Sequence, residues 1–277
     1  MFHGIGSAPQ EISVFRSQLE FLNRYFRVVP IDQFADCVRV NKSGPPRVVL
    51  TFDDGLRNNL LNAYPILKAS NTPATFFVCP GLVGTGRWLW NHEVTARLNR
   101  LPLDTRVRLA RRIGLGTADI YSTTSRMKRT IFGERIKLEH AIRELTPRFV
   151  PTSFERDAYD LMDWTELKSL DPKLITIGGH SMHHEILPQL SPEHLEYEIA
   201  ECRARLESEL QRRVRHFCYP NGAYNNNVRN CVGRHFETAV TTVEDWVSPN
   251  ASPLELPRIP IAANWQDLAW RMQRPTG

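Results

Sequence analysis

Apolar positions along the chain switch period repeatedly, and the switches mark out alternating helices and strands. Phe15, Leu19, Leu22 and Phe26 recur at helical spacing and predict an amphipathic helix ahead of a strand-like Val28-Val29. Pro30 to Val40 reads as a short second helix, and Ser43-Gly44-Pro45-Pro46 then breaks the chain. Val48-Val49-Leu50 predicts a strand running into Thr51-Phe52-Asp53-Asp54-Gly55. Asn58 to Ser70 reads as a helix and Thr75-Phe76-Phe77-Val78 as the next strand, followed by the flexible rim of Gly81, Gly84 and Gly86. Arg97 to Arg148 reads as mostly helical, with Gly114 to Gly116 and Gly133 as breaks. Asp163 or Thr165 caps a further helix, and Ser191-Pro192-Glu193 opens a longer one through Leu210. Leu174 to Ile177, Arg215 to Cys218 and Ala239 to Thr242 predict late strands, and Leu256 to Ile261 a final extended segment. This alternation argues for α/β layering with a largely parallel sheet or barrel.

Chemistry gathers where strands end. Asp53 and Asp54 follow an apolar run, so both carboxylates fall at a C-terminal strand mouth, where α/β proteins usually keep their sites. Adjacent carboxylates repel unless a cation lies between them or one holds a proton. His180 and His184, spaced i and i+4 in His-Ser-Met-His-His, also emerge from a strand end. Asp54 with His180 and His184 would make a site of two imidazoles and one carboxylate, leaving coordination positions open as catalytic metal sites do. An Asp-Asp-Gly turn alone is common, and so is a pair of histidines four residues apart; their joint occurrence is harder to dismiss. Arg215-His216-Phe217-Cys218-Tyr219-Pro220-Asn221-Gly222 reads as a third strand ending in a turn.

Together these segments resemble the polysaccharide deacetylase family, the NodB-homology carbohydrate esterases. Thr-Phe-Asp-Asp-Gly matches the first motif, His-Ser-Met-His-His the second, and Phe-Cys-Tyr-Pro-Asn-Gly a variant of the third. The resemblance implies a distorted (β/α)7-type barrel, a single catalytic domain over 1–277, with a mainly helical basic insertion over 90–154. It implies a metal-dependent N-deacetylase that uses metal-bound water. Asp54, His180 and His184 would be its ligands, Asp53 its general base and Asn221 the backbone oxyanion donor. Leu187 would pack by the acetyl methyl, with Tyr219 and Arg215 on the substrate side. His183 competes with His184 for the ligand role, and the family pattern favours His184. Zinc suits the donor set best; Co, Ni, Mn or Fe would also fit. Two departures stand out. Cys218 occupies the place of the Arg that braces the catalytic Asp, and no histidine follows His235 to serve as the usual acid. His3 is the candidate proton donor in its place. Hydrolysis of another C–N bond in a cyclic amide or ureide, and carbohydrate binding without turnover, are the alternatives.

Composition narrows the picture. At 277 residues the chain can bury a substantial core. Its five cysteines are scattered without C-x-x-C spacing, which argues for reduced thiols and the cytosol. The first residues lack the basic start and apolar core of a secretion signal, which points the same way. Net charge is +5, yet Arg97 to Arg148 holds thirteen Lys/Arg against five Asp/Glu. A solvated helical surface explains such a run. The sharper reading is a face for an anionic sugar carrier or the inner membrane surface. No nucleic-acid motif accompanies the charge.

Overall fold

The computed structural model describes residues 1–33 and 44–273. Past residue 33, the helix expected from Pro30 to Val40 falls outside the described residues, as does Cys37. Five strands form a parallel sheet in chain order: β3 (Thr51–Phe52), β4 (Ala74–Val78), β5 (Ile175–Gly179), β6 (His216–Cys218) and β7 (Thr238–Val240). A separate parallel pair joins β1 (Arg27–Val28) to β2 (Arg47–Val48). The expected strand over Val48 to Leu50 is thus divided: Val48 pairs with β1, while Leu50 accepts a backbone hydrogen bond from Thr75 in the main sheet.

The sheet curls until its edges meet. Phe2 bridges Phe52 outside β3, and Leu256 bridges Val240 outside β7. The Met1 nitrogen donates to the Ile259 carbonyl at 2.9 Å, and the Ile261 N–H donates to Met1 at 3.0 Å. Five strands and two single-residue edges therefore close an irregular barrel, in agreement with the expected fold class. All five residues of β4 are buried, as expected of a parallel strand covered on both faces.

Helices α1 (Pro9–Tyr25), α2 (Tyr64–Ala69), α3 (Trp90–Leu98), α4 (Leu103–Arg112), α5 (Ile120–Met127) and α6 (Phe132–Leu145) come before β5. So do α7 (Ser153–Tyr159) and α8 (Trp164–Ser169), while α9 (Pro192–Leu210), α10 (Asn226–His235) and α11 (Trp265–Gln273) follow it. Of the two cap candidates for α8, Asp163 takes the role in a capping box with Glu166, and Ser191 caps α9. Gly133 does not break the chain: it sits in the first turn of α6, where glycine costs little.

Two apolar bodies result. The larger packs Phe52, Phe76, Phe217 and Ile175 against α1, α9 and α10. The smaller joins Trp90, Val94, Leu98, Leu109, Met127, Leu138 and Ile142 of α3 to α6. Ile186, two residues past His184, belongs to that smaller cluster, so the helical layer rests directly on the loop after β5.

Candidate active site

Sheet register puts three loops at one end. Phe52 pairs with Phe76, Val78 with Gly179, and Gly179 with Phe217, so Asp53-Asp54, His180 and Tyr219-Pro220-Asn221 leave β3, β5 and β6 at the same mouth. Local backbone there is forced. Six non-glycine residues among those described have positive φ, and four of them are Asp54, Ser181, His184 and Asn221. Left-handed backbone at a bulky residue persists only where its surroundings compel it, and such positions cluster at functional sites. Gly222 has φ +66 and lies where a Cβ would come within 1.9 Å of Thr242 Oγ1, so the turn after Asn221 requires glycine.

Asp54 Oδ1 lies 3.4 Å from His180 Nε2 and 3.5 Å from His184 Nε2, and the two imidazole rings stand 4.9 Å apart. All three side chains are buried. The His180 Nδ1–H donates to the Cys218 carbonyl at 2.7 Å, which turns Nε2 toward Asp54. These donors fit a divalent cation: one atom from each residue lies within 4.8 Å of the others, and one tautomer is already set. His183 is turned away, with its Nδ1 2.7 Å from Glu198 and its ring stacked on Tyr197.

Asp53 lies outside that cluster's hydrogen bonds. Arg258 Nη1 donates to its Oδ1 at 2.7 Å and Nη2 to its Oδ2 at 2.8 Å. Arg258 is itself held by the Thr241 carbonyl at 2.7 Å and Thr51 Oγ1 at 3.2 Å. Cys218 Sγ packs 3.3 Å from Arg258 and 3.5 Å from Asp53. The brace missing at Cys218 thus arrives from the final extended segment. Sequence reasoning passed over it, though a lone arginine in Leu-Pro-Arg-Ile-Pro-Ile is the available signal: a charge amid apolar residues needs a buried partner.

Burial pushes the Asp53 carboxyl up, but the Arg258 charge and hydrogen bonds outweigh it and hold it at about 2. Asp54 is drawn well below the carboxylate range: burial opposes this, while His180 hydrogen bonding and the charges of His184 and His3 prevail. Burial lowers His184 to about 3 despite Asp54, and His180, His92 and Lys128 add to the fall. His180 moves the other way, raised by Cys218 and Asp54 against burial. Without a cation, then, the pair carries one positive charge, on His180, and the neutral His184 keeps a lone pair.

The remaining expected residues divide. Asn221 stands at the mouth with left-handed backbone, its Nδ2 buried without a partner. His3 is exposed rather than buried, and its charge reaches both Asp53 and Asp54. Tyr219 is fully buried, and its hydroxyl is used on the Leu254 carbonyl at 2.9 Å. Leu187 is likewise fully buried in the core. Arg215 corrects its expectation. It precedes β6, at the opposite end from the mouth, and pairs with Asp32 and Glu237.

The helical layer adds contacts that no motif announced. Trp90 Nε1 donates to the His184 carbonyl at 3.3 Å. Arg135 is fully buried, lies 4.4 Å over the Trp90 ring and pairs with Glu139 and Glu185. Gly81 N–H donates to Met182 at 3.0 Å, so the glycine rim is pinned to the same loop at that point.

A curled parallel sheet thus carries acids and imidazoles together at its C-terminal mouth. The family model for polysaccharide deacetylase matches residues 40–236, and the chain belongs to that family. A search of curated proteins finds no match. Among solved structures, the fold is similar to the deacetylase PplD of Streptococcus pyogenes, solved in complex with acetate. The TM-score is 0.66 at 19% identity, covering 99% of this chain and 96% of that one. It is also similar to IcaB from Ammonifex degensii, with TM-score 0.64, 16% identity and coverage of 99% and 95%. A polysaccharide deacetylase from Bacillus cereus gives 0.63 at 16% identity, covering 99% of this chain and 67% of that one.

Proposed function

We propose that the protein is a metal-dependent hydrolase that removes the acetyl group from an N-acetylated sugar or sugar conjugate. The observation that carries this reading is the division of labour between neighbouring carboxylates. Asp54 faces two imidazoles, whereas Asp53 is drawn aside onto Arg258. Asp54, His180 and His184 would hold the cation, zinc being the first choice for this donor set. Such an ion acidifies a water and polarises the acetyl carbonyl.

The chain's own groups supply the rest. Arg258 keeps Asp53 ionised and fixes both its oxygens, so the carboxylate is aimed before substrate arrives. Asp53 then accepts a proton from the attacking water. The turn at Asn221 presents its backbone N–H to the developing oxyanion, a donor whose loss typically costs about two orders of magnitude or more in rate. His3, open to solvent beside the acids, protonates the departing amine. Binding without turnover rested on Cys218 in place of a brace and on the missing C-terminal histidine, and Arg258 answers the first of these grounds.

The test is acetate release by the metal-loaded chain from a panel of N- and O-acetylated sugars, with a chelator as control. Release from an N-acetylated sugar, stopped by the chelator and restored by metal, is expected. No release from any sugar in the panel overturns the reading.

We also propose peripheral contact with an anionic membrane on the cytoplasmic side. Arg111 and Arg112 at the end of α4 and Arg129 in the turn after α5 are exposed, and Leu103, Tyr121 and Ile131 are exposed in the same layer. No helix among the described residues is long and apolar enough to cross a membrane. Salt-sensitive co-sedimentation with anionic liposomes supports this surface, and unchanged binding after neutralising Arg111, Arg112, Lys128 and Arg129 counts against it.

A further inference from the structure

We propose that Glu196, Cys231 and His235 form a second metal site, between α9 and α10, for a borderline or soft divalent cation such as zinc. Helical spacing places the donors. Cys231 and His235 lie four residues apart at the end of α10 and so share one face, and Glu196 reaches them from α9. Cys231 Sγ lies 3.3 Å from Glu196 Oε2, and His235 Nε2 lies 2.7 Å from Glu196 Oε1. One donor atom from each residue falls within 4.8 Å of the others. Zinc bonds of ~2.0–2.3 Å span tetrahedral edges of roughly 3.3–3.6 Å, so sulfur and oxygen already stand about one edge apart. Cys231 also lines a cavity of about 340 Å³, bordered by Leu187, Pro192, Asn225 and Arg234, with room for a further ligand.

The charges suit an incoming cation. Hydrogen bonds from Arg234, Cys231 and His235 hold the Glu196 carboxyl at about 2, so one ligand is anionic at neutral pH. Burial and that carboxylate push the Cys231 thiol up to about 12. A thiol so firmly protonated is a poor nucleophile and a poor redox sensor. A cation reverses this, because it replaces the shared protons and turns thiolate–carboxylate repulsion into joint attraction. Arg234 is the rival, paired with the Glu196 oxygen nearest Cys231. Its side chain is 59% exposed, and an exposed pair of this kind holds weakly. Displacing it lowers the affinity, so this site fills after the one at Asp54. Cys218 is the other described thiol beside an acid and an imidazole, but its neighbours Asp53 and His180 belong to the site already described.

An ion here clamps two helices that serve the mouth. Arg203 of α9 already donates to the His235 carbonyl, which holds the end of α10 in place. From α9, the Glu198 carboxylate takes the His183 N–H at 2.9 Å and its ring Nδ1 at 2.7 Å. At its other end α10 begins at its cap, Asn225, just past the Asn221 turn. Tying α9 to α10 therefore ties the loop of the imidazoles to the turn of Asn221.

Cobalt(II) is the probe, because a thiolate ligand gives it a sulfur-to-metal charge-transfer band in the near ultraviolet and the Asp54 site has no thiolate. Titrated anaerobically into the metal-free full chain, cobalt should bind at about two equivalents, with the band growing on the second. Cys231→Ser should abolish the band and leave about one equivalent. His235→Gln should keep a weaker band and loosen the second equivalent by roughly tenfold or more. His180→Ala should leave the band intact. The second equivalent should also raise Tm in the unaltered chain but not in Cys231→Ser. No band at excess cobalt, or a band that survives Cys231→Ser, overturns the proposal. So does a band lost in His180→Ala, which would place the thiolate at Cys218, and so do equal rises in Tm with and without Cys231.

Discussion

The strand ends and the helical layer above them hold the same site by different means. At the strand ends, position follows from sheet register and from turns held in the left-handed region at Asp54, Ser181, His184 and Asn221. In the layer, position follows from buried ions: Arg135, fixed by Glu139 and Glu185, lies over Trp90, which holds the His184 carbonyl. The first arrangement decides which groups meet, and the second decides how firmly one of them is held. Damage at the strand ends should therefore abolish chemistry, whereas damage in the layer should loosen the cation.

The largest effect is expected at Asp53. Asp53→Asn keeps the shape but removes the proton acceptor, so kcat should fall by roughly two to four orders of magnitude while one equivalent of metal remains bound. Loss of the metal along with the rate would instead make Asp53 a ligand. Arg258→Gln should come next, by leaving a buried carboxylate unpaired at a cost of roughly 3–5 kcal/mol, a fall on the order of 10 °C in Tm. The pH dependence has a definite sign. Asp53 is held at about 2, below its unfolded value near 3.9, so the pair stabilises above pH ~4 and the contribution fades as pH falls toward 2. Thermal melts of the two proteins should therefore differ fully at neutral pH and converge in that acid window.

Arg135→Met sharpens the contrast from the other side. Metal affinity should fall by roughly ten- to a hundredfold, with kcat at saturating metal largely kept. A collapse of kcat with affinity unchanged would erase the distinction between the two regions. The smallest effect concerns pH and metal uptake. His180 carries a raised pKa in the metal-free protein, so binding a cation must displace its proton. Affinity measured by competition should drop by about tenfold per pH unit below neutrality, and a flat profile would mean that His180 is not a ligand.

Legibility in the sequence follows the same division. Asp53, Asp54, His180 and His184 were readable because strand mouths and motif spacing are local features of the chain, and the alternation of periods disclosed the α/β layering. Arg258 was not, since its value depends on Leu256 closing against Val240 and bringing the last segment beside β3, a contact some two hundred residues long in sequence. The basic run was legible only as a count, for a related reason. Charge counting treats thirteen cations alike, whereas packing buries Arg135 entirely and leaves Arg111 and Arg112 in solvent. Arg215 opens the third motif, so it falls at the start of β6, away from the mouth, where it pairs with Asp32 and Glu237.

Anomalous scattering from crystals of the zinc-loaded protein tests the central claim most directly. One ion should lie between Asp54, His180 Nε2 and His184 Nε2, with Asp53 off the metal and still paired with Arg258. An ion centred instead among Glu196, Cys231 and His235, or one ligated by Asp53 with Arg258 displaced, would contradict it.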